Sequence, residues 1–98
     1  MIEYSGMFFL WDENKAKSNE HKHGISFLEA MTVFADANAV MSNDDSHSDD
    51  EERFILLGVS SETNLLIVCH CYRGNDDIIR LISARKANRR ESNRYGGR

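Results

Sequence analysis

The order of apolar segments predicts an α+β fold: a small antiparallel sheet with two N-terminal helices packed mainly on one side and a basic helix at the C-terminus. Three observations carry this expectation. Two capped helical segments precede residue 36, three β-rich segments follow residue 52, and short turn-rich stretches separate those three. Consecutive strands joined in this way form an antiparallel meander, and the early helices must cover one face because strands alone cannot bury it. At 98 residues the chain suits a single domain, 1–98, with one modest core.

Met7 to Trp11 is a short aromatic and aliphatic run that predicts a strand, and Asp12 after it is a good N-cap for a polar helix over about Glu13 to His23. Gly24 can take the left-handed conformation that ends such a helix, and Lys22 and His23 in its last turn suit the negative end of the dipole. Ser26 with Glu29 three positions on forms a capping-box pattern. Phe27, Ala30, Met31 and Phe34 then recur at helical spacing, predicting a second helix over about Phe27 to Ala35. Ala39 to Met41 is a candidate short strand. Asn43 to Glu52 holds six acids and neither Lys nor Arg, which predicts a solvated loop. Arg53 to Val59, Leu65 to Arg73 and Ile78 to Ser83 are the three strands of the meander, and Ser83 is placed to cap a final basic helix over about Arg85 to Tyr95, ended by Gly96-Gly97.

With 41% hydrophobic and 29% charged residues and no apolar run near the roughly 20 residues that cross a bilayer, the chain reads as a soluble, cytoplasmic protein without a membrane partner. Cys69 and Cys71 are too close in sequence to join anything distant, which fits a reducing compartment. No metal or other cofactor is expected. His21 and His23 diverge by about 200° around a helix, and Cys69-His70-Cys71 splits its ligands across both faces of a strand. Phosphate-loop, nucleophile-elbow and zinc-protease motifs are all lacking.

Charge is unevenly placed. Residues 73–98 carry eight Lys/Arg against three Asp/Glu, a local +5, while residues 1–72 carry a local −9. An anion-binding surface is therefore expected at the C-terminal end. On the expected helix Arg85, Arg89 and Arg90 cluster near i+4 spacing. They can follow a phosphate backbone, or sit on a solvated helix paired with Glu91 and the acidic loop. Strand alternation groups Arg80 with Ile78 and Ile82, and His70 with Val68 and Tyr72. If both groups project from the uncovered face, Arg80 and His70 share one groove, a phosphate binder beside a titratable group. Packed-surface roles explain the same two residues.

Trp11-Asp12-Glu13-Asn14-Lys15, Asn19, Lys22-His23-Gly24-Ile25-Ser26-Phe27, Glu29-Ala30, Glu52-Arg53, Gly58 and Ile82-Ser83-Ala84-Arg85-Lys86-Ala87 together resemble the BrnT family of small bacterial toxins over nearly the whole chain. The resemblance implies a RelE-like, metal-independent endoribonuclease that inhibits translation and growth. It also implies a BrnA-like ribbon-helix-helix antitoxin as partner, in a heterotetramer that touches DNA only through the antitoxin. Motif matching then assigns Arg80 and Arg85 to the phosphate and transition state, and Lys22 and His23 to the acid-base or electrostatic set. Glu52 and Arg53 are assigned to substrate positioning, with His70, Arg89 and Arg90 beside them as substrate-binding candidates. An antitoxin covering this surface is expected to bring acids to Arg80, Arg85 and Arg89 and apolar side chains to Ile78, Ile82 and Tyr72. The acidity of the chain, −4 with a pI near 5.5, keeps a second reading open: a non-catalytic module that binds protein or nucleic acid on the same scaffold.

Overall fold

The computed structural model describes residues 1–45 and 51–95, so the centre of the acidic segment and the terminal Gly96-Gly97 lie outside the described residues. Strand β1 (Ile2–Tyr4) and strand β2 (Met7–Leu10) form a hairpin through Ser5 and Gly6. Both have positive φ, 54° and 79°, as the two-residue turns that match strand twist require. Helix α1 (Glu13–His23) begins at Asp12, whose carboxylate accepts the N–H groups of Asn14 and Lys15 at 2.8 and 3.1 Å. It ends at Gly24, left-handed at φ 73°. Helix α2 (Phe27–Thr32) begins at Ser26, whose Oγ accepts the Glu29 N–H at 3.0 Å. The Glu29 carboxylate accepts from Ser60 and Asn64, each at 2.7 Å, tying α2 to a sheet turn. The helix is shorter than its periodicity predicts, because Val33–Ala35 tightens into a 3-10 turn that lies directly on Gly58. A Cβ at Gly58 would stand 2.8 Å from Val33 Cγ1, so only glycine admits this contact.

Strands β3 (Val40–Asn43), β4 (Phe54–Val59), β5 (Leu65–Arg73) and β6 (Ile78–Lys86) complete the sheet, and a short helix α3 (Arg89–Ser92) follows. Among the described residues six strands lie in the order β1-β2-β6-β5-β4-β3. The meander β4-β5-β6 is antiparallel, but β2 pairs with β6 in parallel, with Phe9 beside Ile79 and Leu10 beside Arg80. The sheet is thus mixed, not purely antiparallel. The cause is α1, which leaves the end of β2 and must run on along β6 to reach its anchor there.

That anchor is Asn19. It is the buried residue of an otherwise polar helix, and its carboxamide exchanges two hydrogen bonds with the backbone of Ala84, at 2.9 and 3.0 Å. A third, at 3.0 Å, goes to the Ile25 carbonyl. Since β2 ends opposite Arg80, the side chain serves Ala84 as a neighbouring strand would.

The C-terminal basic helix expected over Arg85 to Tyr95 is not present. Ser83, Ala84, Arg85 and Lys86 continue β6, and the α-helix among the described residues that follow is Arg89–Ser92, capped reciprocally by Asn88 and Glu91. A helix over Arg85–Tyr95 would have had almost no apolar face to bury. As strand, Ala84 is buried opposite Val68 in the core, and the nine residues of β5 gain a full-length partner.

Phe9, Phe27, Val33, Leu66, Val68 and Leu81 fill the core between helices and sheet, each contributing about 1.5–3 kcal/mol by burial. His70 is among them, fully buried between Phe34, Phe54 and Tyr72. Its Nδ1 lies 3.3 Å from the Val68 carbonyl, which only accepts, so Nδ1 carries the proton. Burial lowers its pKa from 6.5 to about 4, and it is neutral at pH 7.

Two outcomes follow. Replacing Asn19 by Leu leaves the Ala84 N–H and two carbonyls unpaired and should cost about 2–4 kcal/mol, measured by denaturant unfolding. A cost below about 0.5 kcal/mol would show the anchor dispensable. For His70, the unfolded chain binds a proton below pH 6.5 that the folded chain refuses until about pH 4. The histidine contribution should therefore be constant above pH 6.5 and fall by about 3 kcal/mol on acidification to pH 4, a slope that the His70→Phe variant lacks.

Candidate active site

The sheet has a helix-covered face and an opposite face on which the arginines gather. The register of β5 and β6 sets which side chain goes where. Leu81 pairs with His70 and Arg80 with Cys71, yet Ser83 pairs with Cys69, so Ile82 is an extra residue, a β-bulge. Plain alternation would put Arg85 on the side of Leu81, facing the helices. The bulge reverses this. Arg85 pairs with Ile67 and Arg80 with Cys71, and residues 67, 69 and 71 share one face, so Arg80 and Arg85 project on the same side.

Two further arginines, Arg73 at the end of β5 and Arg53 just before β4, join them by alternation with Cys71 and Ile55. Arg73 is ion-paired with Glu51, with a second contact at 3.4 Å to the other carboxylate oxygen. The Arg73 bond holds the Glu51 carboxyl below its ordinary range, and the Arg80 charge adds to this. Arg85 is gripped by both oxygens of Glu91 at 2.9 and 2.8 Å, which pushes the Glu91 pKa down to about 2, so the pair is fully ionised at neutral pH. Arg53 is half-buried, and its Nε has no partner among the described residues. Arg80, half-buried in mid-strand, makes no ion pair among the described residues.

The thiols between these arginines are inert. Cys69 is pushed up to about 11 by burial and by Asp44, whose carboxylate lies 3.6 Å away; burial and Glu51 likewise raise Cys71. Neither is a nucleophile at neutral pH.

The other sequence candidates are spread out. His70 belongs to the core on the helix side, so it does not share a groove with Arg80 and is closed to substrate. Tyr72, grouped with it, is likewise on the helix side. Lys22 and His23 are exposed at the last turn of α1, toward the Lys86 end of β6. Glu52 is exposed at the sheet end and accepts the Asn43 amide at 3.3 Å. Arg89 and Arg90 are exposed on α3, just beyond the Arg85–Glu91 pair. Sequence reasoning missed Arg73, Glu51 and Asp44, while the pairing of Glu91 that it offered as one alternative is found, with Arg85. The 69, 71, 73 alternation was available for Arg73, whereas nothing in the acidic run singles out Glu51.

The arrangement is a sheet face bearing four guanidinium groups, two of them held by carboxylates, on or just before the strands β4, β5 and β6. Such a face has the chemistry to bind a polyanion and to stabilise charge that develops on a phosphate. Among the described residues no group of three or more His, Cys, Asp or Glu is placed to hold a metal ion, and no helix is long and apolar enough to cross a membrane.

No curated protein matches the chain. Among solved structures, the Brucella abortus ribonuclease toxin BrnT matches at a TM-score of 0.61 with 22% identity, covering 85% of this chain and 99% of that one. The family model for the ribonuclease toxin BrnT of type II toxin-antitoxin systems matches residues 11–91, from the end of β2 to α3 and thus every arginine of the sheet face. The chain belongs to the BrnT family of ribonuclease toxins.

Proposed function

We propose that the chain is a metal-independent endoribonuclease, RelE-like in its chemistry, that cleaves RNA on the arginine face and so stops translation and growth in the bacterial cytoplasm. In this reading it is neutralised by a BrnA-like ribbon-helix-helix antitoxin in a heterotetramer that meets DNA only through the antitoxin. The observation that carries the reading is the bulge at Ile82, because it spends a residue of β6 to turn Arg85 to the side of Arg80. Bulges of this kind re-aim side chains next to active sites.

Arg80, with Arg53 nearby, takes the scissile phosphate and stabilises the added negative charge as the 2′-oxygen attacks phosphorus. Glu51, ionised and oriented by Arg73, accepts the 2′-hydroxyl proton. The P–O5′ bond breaks, leaving a cyclic phosphate, and the departing oxygen takes a proton from water, while Lys22 and His23, toward the Lys86 end of β6, supply positive charge to the flanking strand. Arg85, Arg89 and Arg90 hold flanking phosphates. Two carboxylates on the arginines, Glu51 and Glu91, temper the face for a chain of net charge −4.

Purified Arg80→Ala should cleave RNA about 100-fold or more slowly while keeping its melting temperature, since a half-exposed arginine contributes little to folding. Its RNA affinity should also lose roughly 0.7 from the log-log salt slope, the share of one single-strand phosphate. Glu51→Gln should abolish the acid limb of the pH–rate profile, which in the native chain lies below the ordinary carboxylate range. Undiminished cleavage and growth arrest by Arg80→Ala would remove the catalytic assignment of Arg80, whereas a native chain that neither cleaves RNA nor arrests growth would leave a non-catalytic binding module.

A further inference from the structure

The helices cover only part of their side of the sheet. Beyond the 3-10 turn two adjoining hollows remain, which share Tyr72 and Asp76. The larger, about 650 Å³, is floored by Phe34, Leu56 and Ile79 and walled by Met41, which is 47% exposed. The smaller, about 460 Å³, lies against Phe54 and Tyr72, whose rings meet edge to face at 5.4 Å. Among the described residues every charged side chain lining either hollow is acidic: Asp36, Glu51, Glu52, Asp76 and Asp77. Asp36 is taken up by Tyr95 and Val59, and Glu51 by Arg73. Glu52, Asp76 and Asp77 are exposed on the rim.

We propose that this double hollow is where the protein antitoxin docks, through a basic amphipathic segment. One apolar side chain fills the hollow at Met41 and Phe34. A neighbouring Lys or Arg enters the second hollow over the Phe54 and Tyr72 rings, among the carboxylates of Glu52 and Asp76. The proposal rests on the toxin reading and names the surface and chemistry of its partner.

The two faces of the sheet decide between occupants. RNA is repelled by a rim of like charge and has nothing to offer an aliphatic floor. A second copy related by a two-fold axis would bring acid against acid. A segment with both apolar and cationic side chains satisfies floor and rim together, and cations over aromatic rings gain further attraction. On the arginine face, by contrast, Arg73 and Arg85 already hold carboxylates of this chain, so an acidic partner would have to displace them. The sequence expectation that one covering segment meets both Arg80 and Tyr72 also fails, because those side chains lie on opposite faces.

The test is the affinity of the purified chain for its protein antitoxin, measured by calorimetry over a range of salt. Met41→Glu and Asp76→Arg should each weaken binding about 30-fold or more. Arg80→Ala should change it less than about 3-fold, within the ordinary scatter of a residue outside the contact. Both hollow variants alter exposed side chains, and an unchanged melting temperature certifies their fold. Full affinity in both, with loss in Arg80→Ala, would overturn the proposal and seat the antitoxin on the arginine face, leaving the toxin reading intact. A chain that dimerises alone, and is made monomeric by Met41→Glu, would give the hollow to a second copy and overturn it as well. Failure of the native chain to bind the antitoxin at all would remove the toxin reading, and the proposal with it.

Discussion

Three hydrogen bonds from one buried carboxamide hold this fold in its particular form. Asn19 stands on a helix whose other residues are mostly solvated, and a helix of that composition has little apolar surface with which to dock. Its two bonds to Ala84 supply what hydrophobic burial does not. They satisfy a strand edge left bare where β2 stops at Leu10, and the bond to Ile25 fixes the turn into α2. Because α1 must span from the end of β2 to Ala84, β2 has to enter the sheet beside β6 and point the same way. The parallel pair at the heart of an otherwise antiparallel sheet is a consequence of that tether.

The same strand carries the second decisive irregularity. An unbroken β6 would send Arg85 into the helix face, where a guanidinium beside Val68 and Leu66 would be desolvated without a partner at a cost of several kcal/mol. The extra residue at Ile82 removes that cost and assembles the arginine face in one step. Ala84, restored to the core by the bulge, is also the residue that Asn19 needs. Anchor and arginine face are therefore coupled through three consecutive positions, which explains why Asn19 and the Ile82–Ala87 run belong to one pattern of resemblance. Charge divides with the sheet: arginines on one face, an apolar hollow with an acidic rim on the other, in a chain whose net −4 conceals both.

Much of the local structure was legible. Asp12, Gly24 and Ser26 act as caps by rules that involve only their neighbours, and the three long strands declare themselves by composition. What the sequence hid depends on partners far away in the chain. The β1–β2 hairpin is marked only by Ser5-Gly6, a weak signal beside such short strands. The bulge has no glycine or proline to announce it, and alternation alone passes over it. The i+4 spacing of Arg85 and Arg89 imitates a helix, although the intervening residues give that helix nothing to bury. His70 reads as a titratable group in a strand, and only its position on the helix-covered face makes it a neutral core residue. The resemblance drew attention to Arg80 and Arg85, but not to their common orientation.

The central claim is that RNA is engaged by the arginine face and not by the hollow opposite. It is tested most directly by following backbone amide chemical shifts of the labelled chain during titration with an RNA oligonucleotide made uncleavable by 2′-O-methylation. The account predicts the largest perturbations at Arg53, Cys71, Arg80 and Arg85, quenched by added salt, with Phe34, Met41 and Tyr72 unmoved. Perturbations centred on Met41 and Tyr72, or none at any ratio in low salt, would contradict it.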